Sequence, residues 1–232
     1  KEIEYKTSNL QRFINQYAQK KEVNLSRIKI KPWPAPQRSG HRNRVQLHYD
    51  LSKREIGLIG HKKEQIISVS ECLIGAKQIQ EKIKELYQDS SWLKLIPKGS
   101  PRQGHLEIKL NYSGGVDLIL NGPYSHGGFR QVNNHMNEVL TNLVKEKQND
   151  LFPKSNKILD LFGGSGNLTK GIPISSVVID AHGENLLVEQ DGHQQFLKLN
   201  LYSRRAPNVV REIIEQADSP LAILDPPRSG LK

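Results

Sequence analysis

Lys157-Ile158-Leu159-Asp160-Leu161-Phe162-Gly163-Gly164-Ser165-Gly166-Asn167 decides the fold. Its first six residues read as a buried strand, a short apolar run stopped by a turn signal. Gly163–Gly166 then supplies a tight, glycine-rich loop in which backbone can approach a ligand closely. Val177-Val178-Ile179-Asp180 repeats the buried-strand pattern and ends in an acid. Leu221-Ala222-Ile223-Leu224-Asp225 does so a third time. Buried strands alternating with helices imply a parallel α/β sheet. In such sheets ligands sit beyond the carboxyl ends of the strands. Asp180 is placed there to accept hydrogen bonds from ribose hydroxyls, which suits a nucleoside-bearing ligand. The Gly-Lys-Ser/Thr ending of a phosphate-binding loop is missing, and a dinucleotide fingerprint needs a different glycine spacing.

Two further segments carry chemistry. Asp225-Pro226-Pro227-Arg228-Ser229-Gly230 ends the third strand with an acid held by two prolines, which stiffen the backbone and remove two N–H donors. Such a loop can hold a flat base or the edge of a cofactor. Gly128-Phe129-Arg130-Gln131-Val132-Asn133, followed by Asn137, brings polar groups to a helix start, where Asn133 alone would serve as an ordinary cap.

Around these segments the pattern is coarser. Ser8-Asn9-Leu10-Gln11 fits a capping box, and Leu10, Phe13, Ile14 and Tyr17 recur at helical spacing, so a helix is predicted over roughly residues 9–21. Pro32-Trp33-Pro34-Ala35-Pro36 is a linker. Val45, Leu47 and Tyr49, then Ile56 and Leu58, then Ile67 and Val69, alternate as three strands. Ala76, Ile79, Ile83 and Leu86 predict a helix over 75–87. Leu106 to Tyr112 and Val116 to Leu120 alternate on either side of Ser113-Gly114-Gly115, a hairpin signal. Met136, Val139, Leu140, Leu143 and Val144 mark a helix, as do Val210, Ile213 and Ile214. The fold class expected is α/β: a parallel-sheet core over 125–232, preceded by a smaller α+β region over 1–124 that is a candidate RNA-binding domain.

Lys and Arg number 34 against 24 Asp and Glu, a net charge of +10, which favours a polyanionic partner without requiring one. Arg38, His41, Arg42 and Arg44 cluster beside Trp33, a combination suited to single-stranded RNA through stacking and phosphate contact, or to a merely solvated strand end. Lys62, Lys63 and the Lys77–Lys84 run read as solvent-facing charges. No apolar run approaches the ~18 residues of a membrane span, so no membrane partner is expected. Cys72 is the single cysteine, which excludes an intramolecular disulfide and suits a reducing, cytoplasmic setting. The chain starts at Lys1 rather than Met and stops at Lys232 directly after a motif, so the expectation is of a chain cut at both ends.

Taken in order, Phe129–Asn137, Leu159–Thr169 and Asp225–Leu231 resemble the signature segments of the 5-methyluridine RNA methyltransferases, which modify uridines in ribosomal and transfer RNA. Upstream, Arg42-Asn43-Arg44-Val45 and Val69-Ser70-Glu71-Cys72 are more faintly similar to that family's central β region. The resemblance implies a Rossmann-like methyltransferase core, S-adenosyl-L-methionine as methyl donor, and rRNA or tRNA as partner. It implies that Gln131 contacts the methionine part, that Phe162 and Asn167 line the pocket beside Gly164 and Gly166, that Asp180 holds the ribose, that Asn200 lies near the adenine, and that Asp225 contacts cofactor or base.

Three departures from the family pattern stand out. Gly163 replaces a customary Cys, a change that looks tolerable. The helix expected after Asp180 is poorly supported; Leu186-Leu187-Val188, Asp191-Gly192 and Phe196-Leu197 suit a hairpin instead, which would displace Asp180 and Asn200. The family's nucleophilic cysteine lies beyond the Asp-Pro-Pro-Arg segment, and so is expected beyond Lys232. Uracil C5 is a poor nucleophile until a thiolate adds at C6 and makes it enolate-like, so this chain alone is expected to be inactive. Cys72 falls where the family often places one iron–sulfur ligand; a cluster normally needs four, so no cluster is expected here and Cys72 reads as a bystander or a stranded ligand. Two other functions stay open: RNA methylation at a different atom, and RNA binding without catalysis.

Overall fold

The computed structural model describes the chain apart from residues 26, 27, 62–64, 112, 123–130, 183–185, 189–192, 228, 229, 231 and 232, and apart from the side chains of 186–188. Gly128, Phe129, Arg130, Arg228, Ser229, Leu231, Lys62, Lys63, Tyr112 and the Asp191-Gly192 tip therefore lie outside the described residues. The border expected near residue 125 falls there as well.

Two compact units are present, Lys1–Arg38 and Ser39–Lys232. The first holds α1 (Glu2–Lys21), which buries none of its residues. It begins well before the predicted start at residue 9. The Ser8 capping box is not used; Glu2 and Glu4 occupy the first turn instead, where acids complement the helix dipole, and Lys6 pairs with Glu2 at 2.6 Å. Arg38 belongs to this unit, and the other members of its predicted cluster belong to the second.

The second unit is a mixed α/β structure with two five-stranded sheets. Strands β1 (Arg44–Asp50), β2 (Glu55–Ile59), β3 (Ile66–Ile67), β4 (Gln103–Leu110) and β5 (Val116–Leu120) form an antiparallel sheet in the order β3-β2-β1-β4-β5. The predicted hairpin is β4–β5, with Leu106 opposite Leu120 and Ile108 opposite Leu118. Helix α2 (Lys77–Tyr87) buries Ile79, Ile83 and Leu86 in the same core as Val45, Leu47, Tyr49 and Trp92. The third predicted strand is shorter than expected, since Val69 lies outside β3 and gives its N–H to the Tyr87 hydroxyl at 2.9 Å.

Helix α3 (Asn134–Leu151) follows, capped by Asn133, whose Oδ1 accepts from the Met136 N–H at 3.0 Å. Next come β6 (Lys157–Leu161), β7 (Ser175–Asp180), β8 (Leu186–Val188), β9 (Gln194–Lys198), α4 (Ala206–Glu215) and β10 (Pro220–Leu224). The sheet order is β10-β6-β7-β9-β8, parallel throughout except for the antiparallel β8–β9 pair. Strands do not alternate with helices as regularly as expected. The β6–β7 connection consists of turns around Gly166 and Gly171, and β7–β9 is bridged through β8, so among the described residues α4 is the one helix that connects two of its strands. From β6 the chain steps to β7, β9 and β8 on one side and returns to place β10 on the other. The reversal between β6 and β10 leaves a crevice beyond their carboxyl ends.

Candidate functional site

A cleft of about 850 Å³ opens at that crevice. Gln131, Phe162, Gly164, Asn167, Asp180, Asn200 and Asp225 all line it, together with Pro226 and Pro227. Seven of the eight positions named from the sequence for a cofactor therefore converge on one space, although 94 positions separate Gln131 from Asp225. Gly166, the eighth, is not a lining residue. It sits beneath the loop at φ 71°, where its carbonyl accepts from Gln194 Nε2 at 2.8 Å and an added Cβ would lie 2.6 Å from that nitrogen.

The loop after β6 turns sharply because three of its residues are left-handed: Phe162 (φ 63°), Gly164 (φ 55°) and Gly166 (φ 71°). Left-handed backbone is routine for glycine and costs a β-carbon-bearing residue such as Phe on the order of 1–3 kcal/mol. Phe162 is thereby turned into the cleft, where its ring meets that of Tyr202 at 5.5 Å. Around Gly164 there is open space, so the loop backbone is bare toward the cleft. Gly163 differs. An added Cβ would lie 2.6 Å from Asp160 Cγ and 2.7 Å from Val178 Cγ1. A side chain there has no room, so the glycine that replaces the customary Cys suits this backbone.

Asp180 is fixed by two backbone donors, the N–H of Gly164 at 3.1 Å and that of His182 at 2.9 Å. Each carboxylate oxygen keeps a further lone pair for a ligand hydroxyl. Asn200 makes an Asx turn, its Oδ1 accepting from the Tyr202 N–H at 2.9 Å. The β8–β9 hairpin that threatened both residues does not displace them, because β9 still runs parallel to β7 and delivers Asn200 just past its end.

Below the loop, Asp160 is fully buried. Its Oδ2 accepts from Thr169 Oγ1 at 3.1 Å, and its Oδ1 has no hydrogen-bond partner. Burial pushes its pKa up to about 6; the Thr169 hydrogen bond opposes this, and the carboxylates of Asp225 and Asp180 add to it. Three acids thus stand at the ends of β6, β7 and β10, and their potential favours a cationic ligand.

Tyr202 is the site residue that sequence reading missed. It lies two residues past Asn200, and its hydroxyl donates to the Gly230 carbonyl at 2.7 Å, tying the end of β9 to the loop after β10. Its aromatic character beside a motif was the one available signal.

His41, Arg42 and Arg44 are not an open basic patch. Arg42 forms backbone bridges with Gly75 and Asn133. Arg44, its side chain 14% exposed, faces Glu107 with Nε 3.4 Å from Oε1, an ion pair without a formed hydrogen bond. His41 Nδ1 and Arg42 Nε are shielded from solvent without hydrogen-bond partners. Cys72 packs against the core of the antiparallel sheet and is not among the cleft residues. Among the described residues no His, Cys, Asp and Glu side chains group to hold a metal ion, and no helix is long and apolar enough to cross a membrane.

No family model matches the chain. It is similar to an uncharacterized RNA methyltransferase of Nitrosomonas europaea, 24% identical over 206 residues, which cover 86% of this chain and 50% of the relative. The chain therefore spans about half the length of that curated relative. The similarity supports a methyltransferase relationship for the chain.

Proposed function

We propose that the chain is the cofactor-binding part of an RNA methyltransferase that takes S-adenosyl-L-methionine in the cleft between β6 and β10. The observation that carries this reading is the convergence of Gln131, the Gly163–Asn167 loop, Asp180, Asn200 and Asp225 on one space. The donor set fits the group. Bare loop backbone admits a bulky ligand at Gly164, the Asp180 carboxylate suits a ribose diol, and Asn200 carries amide donors for an adenine edge. The acids at the strand ends suit a sulfonium charge. S-adenosyl-L-methionine supplies an electrophilic methyl group when bound.

The chain's own residues then orient and shield. Phe162 and Tyr202 wall the cleft with apolar surface, which excludes water and strengthens the acids' field. Pro226 and Pro227 hold Asp225 without offering N–H groups that would compete for its carboxylate. Uracil C5 of ribosomal or transfer RNA is the target we favour, on the three signature segments, with the cytoplasm as the setting. That carbon requires a thiolate at C6. Cys72, the single thiol, packs against the core of the other sheet, so the 232-residue chain is expected to bind the cofactor without turning over uridine.

Calorimetric titration of S-adenosylhomocysteine tests the reading. Wild-type chain is expected to bind and Asp180→Ala to bind at least about tenfold more weakly, the scale of lost charge-assisted hydrogen bonds. Absence of binding by the wild-type chain, or equal affinity in the variant, would overturn it.

A further inference from the structure

Asn43 stands immediately before β1 and is 3% exposed. Its side-chain Nδ2 donates to the carbonyl of Gln131 at 2.8 Å and to Oδ1 of Asn134 at 2.6 Å. Its backbone N–H donates to the Val132 carbonyl at 2.9 Å, and its own carbonyl accepts from the Leu110 N–H at 2.9 Å. One residue of the antiparallel-sheet region therefore grips the segment that enters α3 and the end of β4 together. Arg42 extends the join: its N–H donates to the Ile74 carbonyl at 2.7 Å, and its carbonyl accepts from the N–H of Ala76, the residue that caps α2.

Gln131 lines the cleft, yet it lies on irregular backbone ahead of α3, outside every helix and strand. Backbone of that kind keeps its place only through hydrogen bonds made from elsewhere. A buried carboxamide is suited to the task, because one planar group carries two N–H donors pointing to two acceptors. The Asn43 carboxamide is itself buried, so water competes poorly for its donors, and losing them leaves the Gln131 carbonyl without that partner. Aspartate has the same shape and no donor.

We propose that Asn43 is a positioning residue for the cleft: from the antiparallel-sheet region, without touching the ligand, it sets the place of Gln131. The proposal rests on the reading that the cleft holds S-adenosyl-L-methionine. It makes the upstream sheet a part of the cofactor site rather than an appendage that only carries RNA.

The test is titration of S-adenosylhomocysteine into the 232-residue chain and into Asn43→Ala, Asn43→Asp, Gln131→Ala and the Asn43→Ala/Gln131→Ala double variant. Each is measured well below its own melting transition, so that loss of fold does not enter the affinity. Both Asn43 variants are expected to bind about tenfold more weakly, the size of one or two lost hydrogen bonds. In the Gln131→Ala background the Asn43 replacement is expected to add almost nothing, because the side chain it positions is gone. Wild-type affinity in the Asn43 variants beside a weakened Gln131→Ala would overturn the proposal and leave the cofactor reading standing. Losses that multiply in the double variant would overturn it as well, since Asn43 would then act elsewhere. No binding to the wild-type chain would defeat the cofactor reading itself.

Discussion

The side-chain amides of Asn137 and Asn167 exchange two hydrogen bonds, from Asn137 Nδ2 to Asn167 Oδ1 at 2.9 Å and from Asn167 Nδ2 to Asn137 Oδ1 at 2.8 Å. The pair fastens α3 to the glycine loop across 30 positions of chain. It matters because that loop has no helix of its own to anchor it, only turns. A reciprocal amide pair also fixes both side-chain orientations, so Asn167 presents a defined edge to the cleft.

The Asn137–Asn167 pair is expected to behave as a unit. Asn137→Ala leaves Asn167 without its partner, and the single variants are each expected to lose about 1–2 kcal/mol of stability. In a double-mutant cycle by urea denaturation the two losses are expected to be strongly non-additive. Simple additivity would mean that the pair does not hold the loop.

Gly163 and Gly164 are expected to fail differently when replaced. Gly163→Ala pushes a methyl into Asp160 and Val178 and is expected to cost roughly 1–3 kcal/mol of stability, as overpacking does. Gly164→Ala meets open space, and its positive φ is expected to cost only about 1 kcal/mol. A larger replacement at Gly164 is expected to block S-adenosylhomocysteine while the fold persists. Thermal melts and titrations of the two series separate these outcomes.

Asp160 makes stability depend on pH. Its folded pKa, about 6, lies above the ordinary carboxylate value, so between about pH 4 and 6 the folded chain holds a proton that the unfolded chain releases. Stability from this group therefore falls as pH rises through that window, by on the order of 2–3 kcal/mol in all. Asp160→Asn is expected to lack the fall and to be the more stable protein near pH 8. It is also expected to weaken binding of cationic S-adenosyl-L-methionine more than that of neutral S-adenosylhomocysteine. Urea midpoints across pH and paired titrations check both parts.

Arg44 is expected to act on the fold before it acts on RNA. Replacing it by Ala leaves the Glu107 carboxylate buried without its cation, at a cost of about 1–3 kcal/mol. A free phosphate contact to single-stranded RNA would instead lower the log–log salt slope of binding by about 0.7 with stability unchanged. Denaturation and salt-dependent RNA binding of Arg44→Ala, measured together, distinguish the two roles.

The sequence by itself determined the elements whose signal is local. The apolar runs at 157–162, 177–180 and 221–225, the glycine loop, the β4–β5 hairpin, α2, α3 and the Asn133 cap are set by residues a few positions apart, because strand and helix periods repeat every two to four residues. Loop glycines at positive φ and acids at strand ends belong to the same short range, and so most of the cleft lining was legible. Pairing partners were not. That Arg44 meets Glu107 rather than solvent, that a hairpin still delivers Asn200 to the cleft, and that Tyr202 reaches Gly230 depend on chain closures no local pattern encodes. Asn43 is the clearest case. Read locally it is a polar residue before a strand, and only tertiary packing, which brings the carbonyl of Gln131 to it from 88 positions away, makes its amide a support of the cleft.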